Sequence, residues 1–117
     1  MSVTLYGITT CDTIRKARAW LDQQGVAYRF HDFRKDGLEA GRLAGWLDAL
    51  GWEAVLNKAG TSFRALPEAE KTGLDRDKAA ALILANPTLV KRPVVEVGGR
   101  VLVGFKPAVY AEAFGTA

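Results

Sequence analysis

The chain has 117 residues, of which 49% are hydrophobic and 25% charged, with a net charge of +3 and a single cysteine. That length suits one soluble domain, residues 1–117, able to bury a core without a disulfide or a metal. One cysteine excludes an intramolecular disulfide and a zinc site built on several thiolates, the scattered basic residues argue against a nucleic-acid tail, and no apolar run approaches the ~20 residues of a transmembrane helix.

Val3–Tyr6 alternates apolar and polar residues and reaches Gly7, which predicts a short strand ending in a turn. Thr10-Cys11-Asp12-Thr13 then opens a helical pattern in which Ile14, Ala17 and Leu21 share one face, continued by Gln24. Gly25 ends that helix. Val26–Phe33 carries Val26, Tyr28, Phe30 and Asp32 at period two, which predicts a second strand and thus a parallel crossover unit.

Leu38–Leu50 reads as a helix, Trp52–Asn57 as a short segment, and Thr61–Leu66 leads into Pro67. Asp75–Ala85 reads as a helix with Asp75 as N-cap, Ala79, Leu82 and Ile83 inward, and Asn86-Pro87 as its stop. Gly98-Gly99 between Val94–Val97 and Arg100–Val103 predicts a hairpin. Pro107–Phe114 forms a last helix, with Pro107 in its first turn. The order β-α-β, a helical insertion at about 36–86, then β-β-α is the α/β thioredoxin-like arrangement.

Cys11 falls in the strand-to-helix turn. Backbone N–H groups at a helix N-terminus lack intrahelical partners and favour negative charge, so a thiolate there has a lowered pKa. The competing reading is an inert buried thiol, but the neighbours Thr10, Asp12 and Thr13 are all polar. Ile14 occupies the position where a dithiol oxidoreductase carries its second cysteine, so a self-contained CxxC cycle is impossible. Thr13 either donates its hydroxyl to the thiolate or caps a helix turn. Asp12 stabilises the helix N-terminus, and Arg15 and Lys16 are expected in solvent.

Arg92-Pro93 immediately precedes the hairpin. A proline there in thioredoxin-like domains is commonly cis and packs beside the nucleophile, and the arginine before it suits bidentate anion binding. Asn57, Lys58, Gly60, Thr61, Phe63 and Arg64 form a polar patch in which Arg64 or Lys58 is placed to meet a carboxylate. Lys106 adds a cation after the last strand. His31 lacks metal-ligand or triad context and is read as structural; Trp20, Trp46 and Trp52 are read as core. No metal site is expected.

Several segments together resemble the arsenate reductase-like (ArsC/Spx) family, and its YffB-type branch in particular. They are Tyr6-Gly7-Ile8 with Cys11-Asp12-Thr13 and Arg15-Lys16-Ala17-Arg18, Tyr28-Arg29-Phe30-His31-Asp32, and Gly51-Trp52 leading to Leu56-Asn57. Gly60-Thr61, Phe63-Arg64, Lys91-Arg92-Pro93 and Val103-Gly104-Phe105-Lys106-Pro107 complete the set, which runs from about residue 3 to residue 110. The resemblance implies a thioredoxin-like fold with a helical insertion. It also implies a nucleophile at Cys11 and, in the arsenate reductases, an adduct reduced by glutathione and glutaredoxin with three arginines holding the oxyanion. Arg92 matches one of these, Lys106 stands at another, and Asn57 stands where the third would be.

Arsenate is therefore the second expectation. The first is a cytoplasmic, glutathione-dependent monothiol reductase with no bound cofactor and glutathione as co-substrate. Its substrate is small, anionic or disulfide, held by Thr13, Arg92, Pro93, Lys106, Arg64 and Asn57. The cytoplasmic expectation follows from the lack of a signal-peptide pattern, which also makes a reduced thiol the default. Membrane and nucleic-acid partners are not expected. An Spx-like regulator that binds RNA polymerase ranks last, because such proteins usually carry the CxxC switch that Ile14 removes.

Overall fold

The computed structural model describes residues 2–9 and 11–115. The chain divides into two compact units, Met1–Asp36 with Arg92–Ala117, and Gly37–Lys91. The first unit holds strands β1 (Val3–Gly7), β2 (Arg29–Asp32), β3 (Val94–Val97) and β4 (Arg100–Val103), with helices α1 (Asp12–Gln23), α2 (Phe33–Asp36) and α8 (Pro107–Phe114). The second holds α3 (Ala40–Leu50), α4 (Trp52–Val55), α5 (Thr61–Arg64), α6 (Glu68–Lys71), α7 (Arg76–Ala85) and a 3-10 turn at Pro87–Leu89.

The strands form one sheet in the order β2-β1-β3-β4. β1 and β2 run parallel from Thr4↔Arg29 to Gly7↔Asp32, β1 and β3 pair antiparallel with Leu5 opposite Val95, and β3 and β4 form the hairpin. This is the α/β thioredoxin-like fold that the element order predicts. Gly98 supplies the positive φ of +58° that the Gly-Gly turn requires.

Paired residues share a sheet face, so Val3, Leu5, Val95, Val97 and Leu102 project together. Ile14, Ala17 and Leu21 of α1 and Tyr110 of α8 cluster with them to make the core of this unit. Ile14, Ala17 and Leu21 are fully buried. At roughly 1.5–3 kcal/mol for each large apolar side chain, Ile14 and Leu21 fix the helix against the sheet. Gln24, expected to continue the buried face, is exposed and serves as the C-cap, with Gly25 beyond it at φ +68°.

β2 is shorter than the expected Val26–Phe33. Its ladder begins at Arg29, opposite Thr4, and in that register Val26 and Ala27 fall before the first residue of β1. It ends at Asp32, a buried carboxylate whose Oδ1 accepts from the Arg34 amide at 2.8 Å and turns the chain into α2. Phe33 is thus a helix residue, and its ring packs against Tyr6 and His31. His31 is half-buried with its ring 4.9 Å from that of Tyr6.

In the second unit, α3 buries Leu43, Trp46 and Leu47, and α7 buries Ala79, Leu82 and Ile83. Asp75 caps α7 by accepting from the Lys78 amide at 2.8 Å, as its position predicts. Arg76 of α7 donates to Asp48 of α3 at 2.7 Å. A bridge between Leu56 and Val90, with Asn57 N–H to Leu89 O (2.8 Å) and Lys91 N–H to Val55 O (2.7 Å), joins the exit of α4 to the chain after the 3-10 turn. Of the three tryptophans read as core, only Trp46 is fully buried; Trp20 and Trp52 are half-buried, and Lys58 Nζ lies 5.5 Å from the Trp52 ring. Among the described residues, no helix is long and apolar enough to cross a membrane.

Candidate active site

Cys11 is the N-cap of α1, with extended backbone at φ −86° and ψ 127°. Its own N–H donates to Ile8 O at 3.4 Å, and its carbonyl accepts the first helical bond, from Arg15 N–H at 3.1 Å. An N-cap side chain in this conformation lies over the second and third amides of the helix, here those of Thr13 and Ile14. Thr10, which precedes it, lies outside the described residues.

The half-buried thiol feels opposing influences. Burial pushes its pKa up. The Ile14 and Thr13 amides pull it down, the positive charge and side-chain hydrogen bond of Arg92 pull the same way, and the thiol ends below its ordinary value. An ionised sulfur accepts from an N–H far better than a neutral thiol does, so the amides favour the charged form. The thiolate is held by two main-chain dipoles at the positive end of a 12-residue helix and by one guanidinium.

Thr13 thus serves through its backbone amide, and Ile14, read from sequence as an apolar helix-face residue standing where a second cysteine would be, contributes an amide of its own. The N-cap geometry is the signal for both, because the second and third amides face the cap whatever their side chains are. Asp12 adds a negative charge in the first helical turn, and Arg15 forms an ion pair with it. Both side chains are exposed.

Arg92 precedes β3, and the Arg92–Pro93 bond is cis. Arg92 is half-buried and Pro93 buried. The Pro93 carbonyl accepts from Gly104 N–H at 2.8 Å, one bond beyond the Val94↔Val103 end of the hairpin. Lys106 follows as the exposed N-cap of α8. The structure therefore brings together Cys11, the Thr13 and Ile14 amides, and Arg92, and anchors Pro93 and the approach to Lys106 to one hairpin end.

Asn57 and Arg64 belong to the Gly37–Lys91 unit. Asn57 Oδ1 accepts from Ala59 N–H at 3.2 Å, and a β-carbon at Gly60 would stand 2.8 Å from Asn57 Nδ2. The amide is folded into its own turn. Arg64 ends α5 with an exposed side chain, and its carbonyl accepts from Lys71 Nζ at 2.9 Å.

The arrangement provides an activated sulfur nucleophile with a cation beside it. Comparison with known proteins gives the family. The ArsC family model matches residues 6–113. An uncharacterized protein of Haemophilus influenzae is 39% identical over 112 residues, covering 96% of this chain and 98% of its own. Among solved structures, a YffB protein superposes with a TM-score of 0.94 at 54% identity, over 96% of this chain and 98% of its own. An arsenate reductase (ArsC) related protein from Brucella melitensis does so with 0.78 at 52% identity, over 97% and 95%. The family match runs almost end to end, and relatives and solved structures agree with it over nearly the whole chain: this chain belongs to the ArsC family.

Proposed function

We propose that this ArsC-family chain is a glutathione-dependent monothiol reductase acting in the reducing cytoplasm, with Cys11 as its nucleophile. The observation that carries the reading is the pairing of a stabilised thiolate at Cys11 with a buried isoleucine at position 14. The chain can form a mixed disulfide but has no second thiol to resolve it.

The Cys11 thiolate attacks the sulfur of a glutathionylated substrate. The attack falls on the glutathione sulfur: the Cys11–glutathione disulfide bond forms, the disulfide bond between the glutathione and substrate sulfurs breaks, and the departing substrate thiolate takes a proton from solvent. A glutathione thiolate then attacks the mixed disulfide, releasing glutathione disulfide and regenerating the Cys11 thiolate. Net, one mixed disulfide and one glutathione thiol become one free thiol and glutathione disulfide. Arg92, with Lys106, supplies cations for the carboxylates of glutathione, and Pro93 and Thr13 line the approach. Glutaredoxin is a partner for the resolving step.

A second reading, reduction of arsenate, is favoured by the guanidinium of Arg92 beside the sulfur, where an oxyanion would sit. Two features weigh against it. Asn57 is engaged in its own turn and carries no charge, and Lys106 lacks the planar fork of arginine.

Intact mass measurement after incubation with oxidised glutathione tests the proposal. The expected result is one glutathionyl adduct, absent from Cys11→Ser and removed by reduced glutathione. No adduct, with efficient arsenate turnover in the presence of glutathione and glutaredoxin, would promote the second reading.

A further inference from the structure

Tyr110 is the aromatic centre of the first unit, 1% exposed. Its ring meets Phe105 at 5.0 Å, Trp20 at 5.6 Å and Phe114 at 6.0 Å, all three edge-on. Packing alone accounts for the ring. The hydroxyl needs a partner in such a place, and the partner found is the Gly104 carbonyl at 2.9 Å.

That acceptor has a second role. Gly104 sits at φ +77°, a left-handed pivot open to glycine, and its N–H donates to the Pro93 carbonyl at 2.8 Å. Both polar groups of Gly104 are thereby engaged, one by Tyr110 and one by the residue that follows Arg92. The path from the core to the site runs Tyr110 Oη, Gly104, Pro93, Arg92, Cys11 Sγ. None of its links is shared with the Tyr6–Glu96 hydroxyl bond within the sheet.

We propose that Tyr110 is a positioning residue of the active site: through Gly104 its hydroxyl holds the Arg92–Pro93 segment that sets the guanidinium against Cys11. The inference rests on Cys11 as nucleophile and does not require glutathione to be the co-substrate. Burial pushes the Tyr110 phenol far above its ordinary range, so it remains a donor wherever Cys11 titrates. The rigid ring packing lets one hydroxyl serve this purpose. Trp20, Phe105 and Phe114 fix where it points, and the glycine pivot fixes where its acceptor lies.

The rate of Cys11 alkylation by iodoacetamide, followed against pH, provides the test. Arg92→Gln is expected to raise the titration midpoint by about one unit, the lower end of what an adjacent opposite charge contributes. Tyr110→Phe, which keeps the ring, is expected to raise it by part of that amount. The double variant is expected to match Arg92→Gln alone, because the hydroxyl has no effect once the guanidinium is gone. Leu47→Ala, which opens the core of the second unit and is no part of this path, is expected to lower Tm and leave the midpoint unchanged.

Gly104→Ala, which strains the pivot and keeps the tyrosine, is expected to shift the midpoint upward as well, and it decides the matter alone should Tyr110→Phe not fold. An unchanged midpoint in folded Tyr110→Phe or in Gly104→Ala would overturn the proposal, as would a double variant whose shift equals the sum of the singles. Since no glutathione enters the assay, failure of the glutathione reading leaves this result standing, and failure here leaves Cys11 as nucleophile.

Discussion

Ile14 lies directly against the bare backbone of Gly7. A β-carbon built at position 7 would fall closer to Ile14 Cδ1 than two carbons can stand, and 2.8 Å from Cγ1. The strand end and the first turn of α1 meet here without a side chain between them, and this contact seats the helix N-terminus, with Cys11 on it, over the end of the sheet. Ile14 is fully buried and cannot easily turn aside.

Gly7→Ala therefore overpacks the junction and is expected to cost about 1–3 kcal/mol, read as a lower urea midpoint. Because relief requires the first turn of α1 to shift, Cys11 alkylation at neutral pH should slow as well. A variant as stable and as reactive as the wild type would show that Ile14 repacks freely.

The lowered pKa of Cys11 links reactivity to stability. A thiol whose folded value lies below its unfolded value contributes stability that is fully present above the unfolded value, about 8.5, and is lost as pH falls through the folded value. Cys11→Ser lacks this contribution. The stability difference between wild type and Cys11→Ser is expected to shift in favour of the wild type between pH 6 and pH 9, measured by urea unfolding at each pH. A difference that is flat, or that falls with pH, would contradict the stabilised thiolate.

Ile14→Cys restores a second thiol at the expense of the core. Removing the buried isoleucine is expected to cost about 1–3 kcal/mol. The wild type should retain the glutathionyl adduct until external thiol is added. Ile14→Cys should expel it by forming an internal disulfide, seen by mass as loss of glutathione without added reductant. Equal adduct lifetimes in the two chains would argue against external resolution as the distinguishing property.

Asp75→Ala removes the cap of α7, and the exposed Lys78 amide loses its partner. The expected loss is about 1 kcal/mol in thermal or urea unfolding, with Cys11 alkylation unchanged. A change in alkylation would show that the cap does more than secure its own helix.

The strong periodic elements were legible from the residues alone. Ile14, Ala17 and Leu21 announce α1, Val94–Val97 with Gly98-Gly99 announces the hairpin, and Asp75 announces α7. β2 was legible only in part, because its length depends on where β1 begins and its end on the Asp32 side chain, and neither is a property of the period-two pattern. α6 escaped notice because four residues after a proline show no helical period.

At the site, Cys11, Arg92 and the pull of the helix N-terminal amides were readable, but that the amides of Thr13 and Ile14 are the ones facing the sulfur follows only from the N-cap position of Cys11. Asn57 carried a signal of its own. An asparagine three residues before a glycine suits a local turn, and its amide is used there.

The strand order places β2 and β4 at the two margins of the sheet. Each is only four residues long, and each begins with an exposed arginine, Arg29 and Arg100. Helix α2 starts directly after β2, and Arg100 is held by Glu112 of α8 at 2.7 Å. Short margins that carry fixed positive charge are poor templates for another chain to extend. The sheet borders thereby resist extension by a second copy of the chain, and valine at both arginine positions would create two uncharged borders through which the fold could polymerise.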